Sequence, residues 1–255
     1  MSLLKVSNLS RSFGGLKAVA NLNIELEEGE LIGLIGPNGA GKTTAFNLLT
    51  GVYEPSEGEI IFQDKSIAGL KPYRITHRGI ARTFQNIRLF GDLTVIDNVK
   101  IAFHQHAKYS SLSAILRLPS YYREEERMED KAMEILSIFN LEDKASEIAR
   151  NLPYGEQRRL EIGRALAAKP KLLLLDEPAA GMNPQETHDL MELIRFIRKK
   201  FDLTILLIEH DMSLVMGVCE RIYVLDYGTI IAQGTPAEIK SNPKVIEAYL
   251  GEEVV

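Results

Sequence analysis

Short, uninterrupted apolar runs alternate along this chain with longer segments in which apolar residues recur at helical spacing. Three of the runs lack charged residues, as expected for strands that are buried on both faces of a sheet. These runs cover residues 31–35, 172–175 and 204–208. The first of them leads directly into a glycine-rich turn.

A capped amphipathic helix is predicted between the last two runs. Asn183 can cap its first turn, Pro184 suits the first helical position, and Glu186 stands where the acid of a capping box belongs. Its apolar face comprises Leu190, Leu193, Ile194 and Ile197. Strand, crossover helix and strand form a βαβ unit, so we predict an α/β fold with a largely parallel core sheet.

The segments on either side of this core have other patterns. The first 30 residues and residues 58–62 are predicted to be short strands of a small antiparallel sheet. Near the C-terminus, Asp226, Tyr227 and Gly228 are predicted to form a hairpin turn between two strands.

From about residue 95 to 165 the pattern turns helical. One apolar face comprises Ala132, Ile135, Leu136 and Phe139. We interpret this stretch as a helical subdomain, roughly residues 91–165, inserted into a single domain that spans residues 1–255. Residues 105–127 are predicted to be an extra helical or irregular excursion.

Composition and charge narrow the functional classes. With 255 residues, of which 45% are hydrophobic and 25% charged, the chain can bury the core of a globular protein. Its formal net charge of −5 argues against a general nucleic-acid binder. The single cysteine, Cys219, excludes an internal disulfide, and no apolar run is long enough to span a bilayer. The first residues also lack the pattern of a secretory signal, so we expect a cytoplasmic protein.

The glycine-rich turn fits the P-loop pattern at every required position. It comprises Gly36, Pro37, Asn38, Gly39, Ala40, Gly41, Lys42, Thr43 and Thr44. Its glycines let several backbone N–H groups point at phosphate oxygens, and a helix that starts near Lys42 adds its positive end. Lys42 would bind the β- and γ-phosphates of ATP, and Thr43 would offer a hydroxyl to Mg²⁺. A chance glycine turn is the alternative, but the preceding apolar strand favours the P-loop.

Two acids and a histidine follow the other predicted core strands. Asp176 and Glu177 come at the end of the second apolar run, and His210 follows the third. Ligands bind at the carboxyl ends of such strands, so Asp176 would hold Mg²⁺ and Glu177 would polarise the attacking water. A mere cap on the next helix is the alternative for the acids. His104 and His106 lack suitably spaced metal-ligating partners, which favours a solvated loop.

In this order and spacing, the P-loop, Gln85, residues 152–166, the strand before Asp176 and His210 resemble the ATP-binding subunits of ABC transporters over essentially the whole chain. The resemblance implies that Phe13 stacks on adenine, that Gln85 reaches Mg²⁺ and the attacking water, and that His210 contacts the γ-phosphate.

The resemblance also implies a phosphate-binding surface that serves a partner subunit. Residues 152–157 match the ABC signature, and Tyr154, Gly155 and Glu156 are its predicted nucleotide-binding residues. A helix from Glu156 onward would direct its positive end at the γ-phosphate. In the family, two ATP molecules lie between two such domains, so the implied partner is a second ABC ATPase subunit, either a paralogue or an identical copy.

Two residues depart from the family pattern. Pro153 stands where the family usually has a serine whose hydroxyl bonds the γ-phosphate, and proline cannot donate. Asn183 replaces an aspartate of the D-loop, residues 180–183. We therefore hypothesise that the site is slightly weakened, or asymmetric within a heterodimer.

A closer resemblance is to the ATP-binding subunit of branched-chain amino-acid importers, the longer of the two such subunits. It rests on the segments around Phe13, Gln85 and Tyr154, on the excursion at 105–127 and on residues 176–184 and 208–228. It implies membrane permease subunits as partners, no nucleic acid, and a position on the cytoplasmic face of the membrane. The ATPase of an exporter, including one that extracts lipid, and a soluble ABC protein that acts on ribosomes or DNA are the alternatives.

The stretch from Thr83 to Phe90 is predicted to transmit movement to the helical subdomain. Leu89 and Phe90 would either help to form a groove for a helix of a membrane subunit or belong to the core of that subdomain, and the sequence leaves both interpretations open.

Overall fold

The computed structural model describes residues 2–250. The chain forms two compact units, one from residues up to Gln85 together with those from Lys171 onward, and the other from Asn86–Pro170. The strands, in chain order, are β1 (Ser2–Phe13), β2 (Leu16–Glu27), β3 (Leu31–Ile35), β4 (Glu57–Phe62), β5 (Lys65–Ser66), β6 (Ile80–Arg82), β7 (Leu172–Asp176), β8 (Thr204–Ile208), β9 (Arg221–Asp226) and β10 (Thr229–Gly234). All ten belong to the first unit.

Six of these strands form the core sheet, in the order β10-β9-β3-β8-β7-β6. Strands β9, β3, β8, β7 and β6 pair in parallel, each with the next in this order, whereas β10 pairs with β9 in antiparallel orientation. Every residue of β3, β7 and β8 is buried, which explains why these strands appear in the sequence as continuous apolar runs. The predicted parallel core is therefore confirmed.

The second sheet is antiparallel and has the order β2-β1-β4-β5. Its first two strands are 12 residues long each, so the expectation of short strands near the N-terminus was wrong in length. The predicted hairpin turn lies between β9 and β10. Tyr227 and Gly228 both have positive φ, 41° and 79°, as a two-residue turn of type I′ requires.

The helices of the first unit lie between its strands and after the last of them. They are α1 (Lys42–Leu49), α2 (Pro72–His77), α7 (Pro184–Phe201), α8 (Met212–Val218), α9 (Pro236–Lys240) and α10 (Pro243–Leu250), in a numbering that assigns α3 to α6 to the second unit. The predicted capping box of α7 is present, because the side chain of Asn183 accepts from the N–H of Glu186 and the side chain of Glu186 accepts from the N–H of Asn183. Among residues 2–250, no helix is both long and apolar enough to cross a membrane.

The second unit is helical, as predicted for this part of the chain. Its helices are α3 (Val95–Phe103), α4 (Ser111–Ile115), α5 (Pro119–Ile138) and α6 (Tyr154–Ala167). The buried face of α5 includes Ala132, Ile135 and Leu136, at the expected spacing. The excursion at residues 105–127 is mostly helical, with a 3₁₀ turn, α4 and the start of α5. At its start, the ring of His104 lies 3.1 Å from the Tyr109 hydroxyl, and the ring of His106 lies 3.1 Å from the Ala168 carbonyl oxygen.

Candidate active site

The loop between β3 and α1 has a shape that only glycine permits at two positions. Gly36 has a φ of 152°, and a Cβ there would lie 1.9 Å from the carbonyl oxygen of Leu225. Gly41 has a φ of 102°, and a Cβ there would lie 2.5 Å from the carbonyl oxygen of Ala18. The backbone therefore curls tightly at both ends of the predicted phosphate cradle.

Lys42 turns back over this loop. Its ammonium donates to the carbonyl oxygens of Gly36, at 2.6 Å, and Pro37, at 2.8 Å. Helix α1 begins at Lys42, and Thr43 is exposed in its first turn. The cation, the hydroxyl and the helix N-terminus predicted to bind phosphate and metal thus come together on one loop.

Asp176, the predicted metal ligand, lies at the end of β7 in a buried ion pair. Its Oδ2 accepts from Nη2 of Arg82 at 2.7 Å, and the two side chains are 4% and 6% exposed. Arg82 also donates to Asn47 at 2.7 Å and to Thr50 at 3.3 Å, at the end of α1. Sequence reasoning missed Arg82, although it stands three residues before Gln85 at the end of a strand.

Glu177 lies at the centre of the predicted hydrolytic residues. Its Oε2 accepts from Nε2 of Gln85 at 2.8 Å, and Nδ1 of His210 lies 3.7 Å from the same oxygen. Glu177 has a φ of 46°, in the left-handed region that costs a non-glycine residue about 1 kcal/mol. The fold thus brings together the three residues predicted from separate parts of the sequence, with the backbone strained at the acid.

A further acid, Glu209, follows β8 and was missed from the sequence. It is 0% exposed, and its carboxylate accepts from the N–H groups of Ala179 at 2.7 Å, His210 at 3.0 Å and Asp211 at 3.2 Å. Burial raises the pKa of Glu209, while these three hydrogen bonds act in the opposite direction. The available signal was the same as for Asp176, an acid at the carboxyl end of a buried strand.

Phe13, the predicted adenine platform, is the last residue of β1 and is 39% exposed. The ring of Tyr53 packs against it in a T-shaped arrangement, with ring centroids 5.1 Å apart. The guanidinium of Arg11 lies 4.8 Å from the centre of its ring. The partly open aromatic surface suits stacking with a base, and Tyr53 and Arg11 are neighbours of this ring that sequence reasoning missed.

In the second unit, the predicted signature residues form the first turn of α6. This helix begins at Tyr154, two residues earlier than expected, and Pro153 is its N-cap residue without a side-chain cap. The Tyr154 ring is exposed and its hydroxyl accepts from Arg158 at 3.2 Å. The carboxylate of Glu156 accepts from Nζ of Lys144 at 2.6 and 2.7 Å.

The segment before α3 is tied to the same helical unit. The backbone N–H of Arg88 donates to Glu161, whose carboxylate pairs with Arg158 at 2.9 Å in a fully buried ion pair. Asn98 bonds both the N–H and the carbonyl of Phe90. The Phe90 ring is 49% exposed, so its interpretation as a core residue was wrong.

Comparison with known proteins identifies the family. The model of the family described as ABC transporter matches residues 19–180.

The chain belongs to the ABC transporter family.

A second family model, described as branched-chain amino acid ATP-binding cassette transporter, matches residues 229–255 of this ABC chain. The high-affinity branched-chain amino acid transport ATP-binding protein LivG of Escherichia coli is 51% identical over 250 residues, which cover 98% of each chain. BraF of Pseudomonas aeruginosa, of the same description, is 46% identical over 98% of each chain. The lipopolysaccharide export system ATP-binding protein LptB of Escherichia coli is 37% identical over 99% of each chain.

Solved ABC cassettes share the whole fold. An ATP-binding cassette of an ABC transporter in its ADP conformation superposes with a TM-score of 0.85 and 34% identity, and the match covers 98% of this chain and 99% of the other. The predicted P-loop NTPase core, with a small antiparallel sheet and an inserted helical part, is therefore confirmed, as is the family resemblance. The chain is accordingly an ATPase whose activity is coupled to transport, and it binds ATP.

Proposed function

We propose that this chain hydrolyses Mg²⁺-bound ATP to energise the import of branched-chain amino acids through membrane permease subunits. The convergence of Gln85 and His210 on one oxygen of Glu177 supports the chemistry. The substrate is supported by the match of residues 229–255 to the branched-chain model and by the higher identity to LivG, 51%, than to LptB, 37%.

The P-loop residues bind the triphosphate in this proposal. The curled backbone between Gly36 and Gly41 presents N–H groups to the phosphate oxygens, and Lys42 moves its ammonium from the loop carbonyls to the β- and γ-phosphates. Phe13 stacks on the adenine ring. These contacts hold the terminal phosphate in one orientation for attack.

Glu177 accepts a hydrogen bond from the attacking water and orients it, or removes its proton. The Gln85 amide holds the carboxylate on one side, and His210, 64% exposed and close to the same oxygen, contacts the γ-phosphate. Thr43 and Asp176 supply a hydroxyl and a carboxylate, the oxygen ligands that Mg²⁺ prefers. When bound, Mg²⁺ neutralises charge on the phosphate oxygens.

Tyr154, Gly155 and Glu156 serve the ATP of a second ABC ATPase subunit. They form the first turn of α6, whose N-terminus favours an anion, and the exposed Tyr154 ring is available to a partner. Closure of two subunits is then favoured only while the γ-phosphate is present. We place the chain on the cytoplasmic face of the membrane, bound to permease subunits and not to nucleic acid.

Affinity purification of the full-length chain from a membrane extract tests this proposal. We expect permease subunits and a second cassette to co-purify, and the complex in vesicles to take up leucine only with ATP on the cassette side. Lys42→Ala should assemble but neither hydrolyse ATP nor transport, whereas Lys199→Ala on the exposed side of α7 should behave as wild type.

Two results would contradict the proposed import function, and each points to a different alternative. Recovery of ribosomes or DNA in place of permeases would exclude transport. ATP hydrolysis without amino-acid uptake, in a complex that releases a lipid, would favour the exporter alternative.

A further inference from the structure

Two loops leave the core sheet side by side at the candidate active site. Strands β7 and β8 are parallel neighbours, and Asp176 is paired with Ile208. The residues that follow, Glu177 and Glu209, therefore leave the sheet at the same edge, and the N–H of Glu177 donates to the carbonyl of Ile208 at 2.9 Å. One loop carries the proposed water-orienting acid and the other carries His210.

The carboxylate of Glu209 connects these two loops. One oxygen, Oε1, accepts from the N–H of Ala179, two residues beyond Glu177. The other, Oε2, accepts from the N–H groups of His210 and Asp211. The side chain of Glu209 is fully buried, so water does not compete for these bonds.

The buried carboxylate of Glu209 requires hydrogen-bond donors from the protein. Its burial is unfavourable unless hydrogen bonds replace the lost water, and bonds from N–H groups to an ionised acceptor are among the stronger ones. Neither loop alone offers all three donors. The carboxylate is therefore fully satisfied only while both loops keep their present relative position.

We infer that Glu209 is a positioning residue, which fixes the position of the loop of His210 relative to the loop that follows Glu177. The inference rests on the proposed function, because this relative position matters only if Glu177 and His210 act on one phosphate. A shift of one loop would then be passed to the other through this side chain, in addition to the backbone bond from Glu177 to Ile208. The hydrogen bonds of the buried Glu209 carboxylate are to backbone N–H groups of the two loops, so it would act on the reaction through them.

Substitution of Glu209 separates positioning from a general structural role. Glu209→Gln keeps the shape but turns an NH₂ group toward one of the loops, which loses its acceptor. Glu209→Asp keeps the charge, but its side chain is one methylene shorter and cannot reach both loops. Both variants should lower kcat by about 10- to 100-fold, while the Kd for ATP changes less than about twofold, because the P-loop is untouched.

The decisive experiment is a double-mutant cycle in the co-purified complex, with ATPase rates, ATP binding and thermal unfolding measured for each variant. If Glu209 acts through His210, Glu209→Gln should change kcat by less than about twofold in the His210→Ala background. Glu238→Gln is the control, since that carboxylate also accepts a backbone N–H, from Thr235 at 2.7 Å, but on α9. It should leave kcat unchanged.

Two results would overturn the inference. Wild-type kcat in folded Glu209→Gln or Glu209→Asp would show that the link has no catalytic consequence. Effects of Glu209→Gln and His210→Ala that multiply would assign Glu209 an independent, structural role. If the wild-type complex and the Glu238→Gln control both failed to hydrolyse ATP, the proposed function itself would fall.

Discussion

The side-chain amide of Gln85 lies 2.8 Å from Oε2 of Glu177, an oxygen that Nδ1 of His210 approaches to 3.7 Å. Residues from three segments of the chain thus meet at one carboxylate oxygen. An acid that is hydrogen-bonded by Gln85 and has the His210 ring beside it has few orientations, and a fixed orientation is what the positioning of a water molecule requires. Single substitutions around this oxygen can therefore measure what each residue contributes to ATP hydrolysis.

Replacing Glu177 should stop hydrolysis without removing ATP. Glu177→Gln keeps the bond to Gln85 possible but removes the charge that orients the water, so we expect kcat to fall by about 10²- to 10³-fold. ATP should then hold two subunits together, which size-exclusion chromatography with ATP would detect. Glu192→Gln, on the exposed side of α7 where the acid pairs with Arg195, should have no effect. Failure of the Glu177→Gln chain to dimerise with ATP would contradict the shared site.

Arg82 should contribute to stability through its buried pair with Asp176. Arg82→Met leaves the carboxylate without its cation, so the free energy of unfolding in urea should fall by about 3 kcal/mol. Asp176→Asn in the same chain should recover part of this loss, because a neutral amide needs no counter-ion. Arg195→Met removes an exposed pair and should cost less than about 1 kcal/mol. Equal losses for the two arginines would refute the assignment.

Pro153 should limit the rate of the assembled transporter. Its φ of −53° and ψ of 151° are also open to serine, whose hydroxyl can cap α6 and donate to a phosphate. We expect Pro153→Ser to raise ATPase activity several-fold in the complex. Pro119→Ser, at the start of α5, is the matched control. An unchanged rate would exclude the weakened-site hypothesis.

Cys219 should be unreactive in the folded chain. Burial, with a smaller contribution from Glu220, raises the pKa of its thiol to about 12, so at pH 8 only about one thiol in ten thousand is ionised. Labelling by a disulfide reagent at pH 8 should therefore be at least about 100-fold slower in buffer than in denaturant. The absorbance of the released thiolate measures both rates, and rapid labelling of the native chain would contradict the burial.

The features that could be predicted from the sequence are those formed by short, contiguous segments. The β3 strand and the P-loop are contiguous, and the α7 cap is a pattern of four residues, so each could be found before any contact was known. The motifs at Gln85, Glu177 and His210 are distant in the chain, and the family resemblance brought them to one site.

Two of the contacts that sequence reasoning missed depend on which strands are neighbours. Arg82 meets Asp176 because β6 pairs with β7, and a strand of three residues is too short to show a pattern. Glu209 resembled an ordinary loop acid until the register of β7 and β8 placed Ala179 within reach. The contact between Lys144 and Glu156 joins residues on either side of a turn in the chain, and helical periodicity cannot predict such a pair.

The inward-turned ammonium of Lys42 has a consequence for nucleotide exchange. If Lys42 binds the triphosphate as proposed, its hydrogen bonds to the carbonyls of Gly36 and Pro37 have to break first, so binding exchanges one set of partners for another. On the same proposal, the two carbonyl oxygens would accept from Lys42 again once the product has left. On this proposal the loop carbonyls keep the Lys42 ammonium hydrogen-bonded whenever no nucleotide is bound, so the lysine is never left without an acceptor between turnovers.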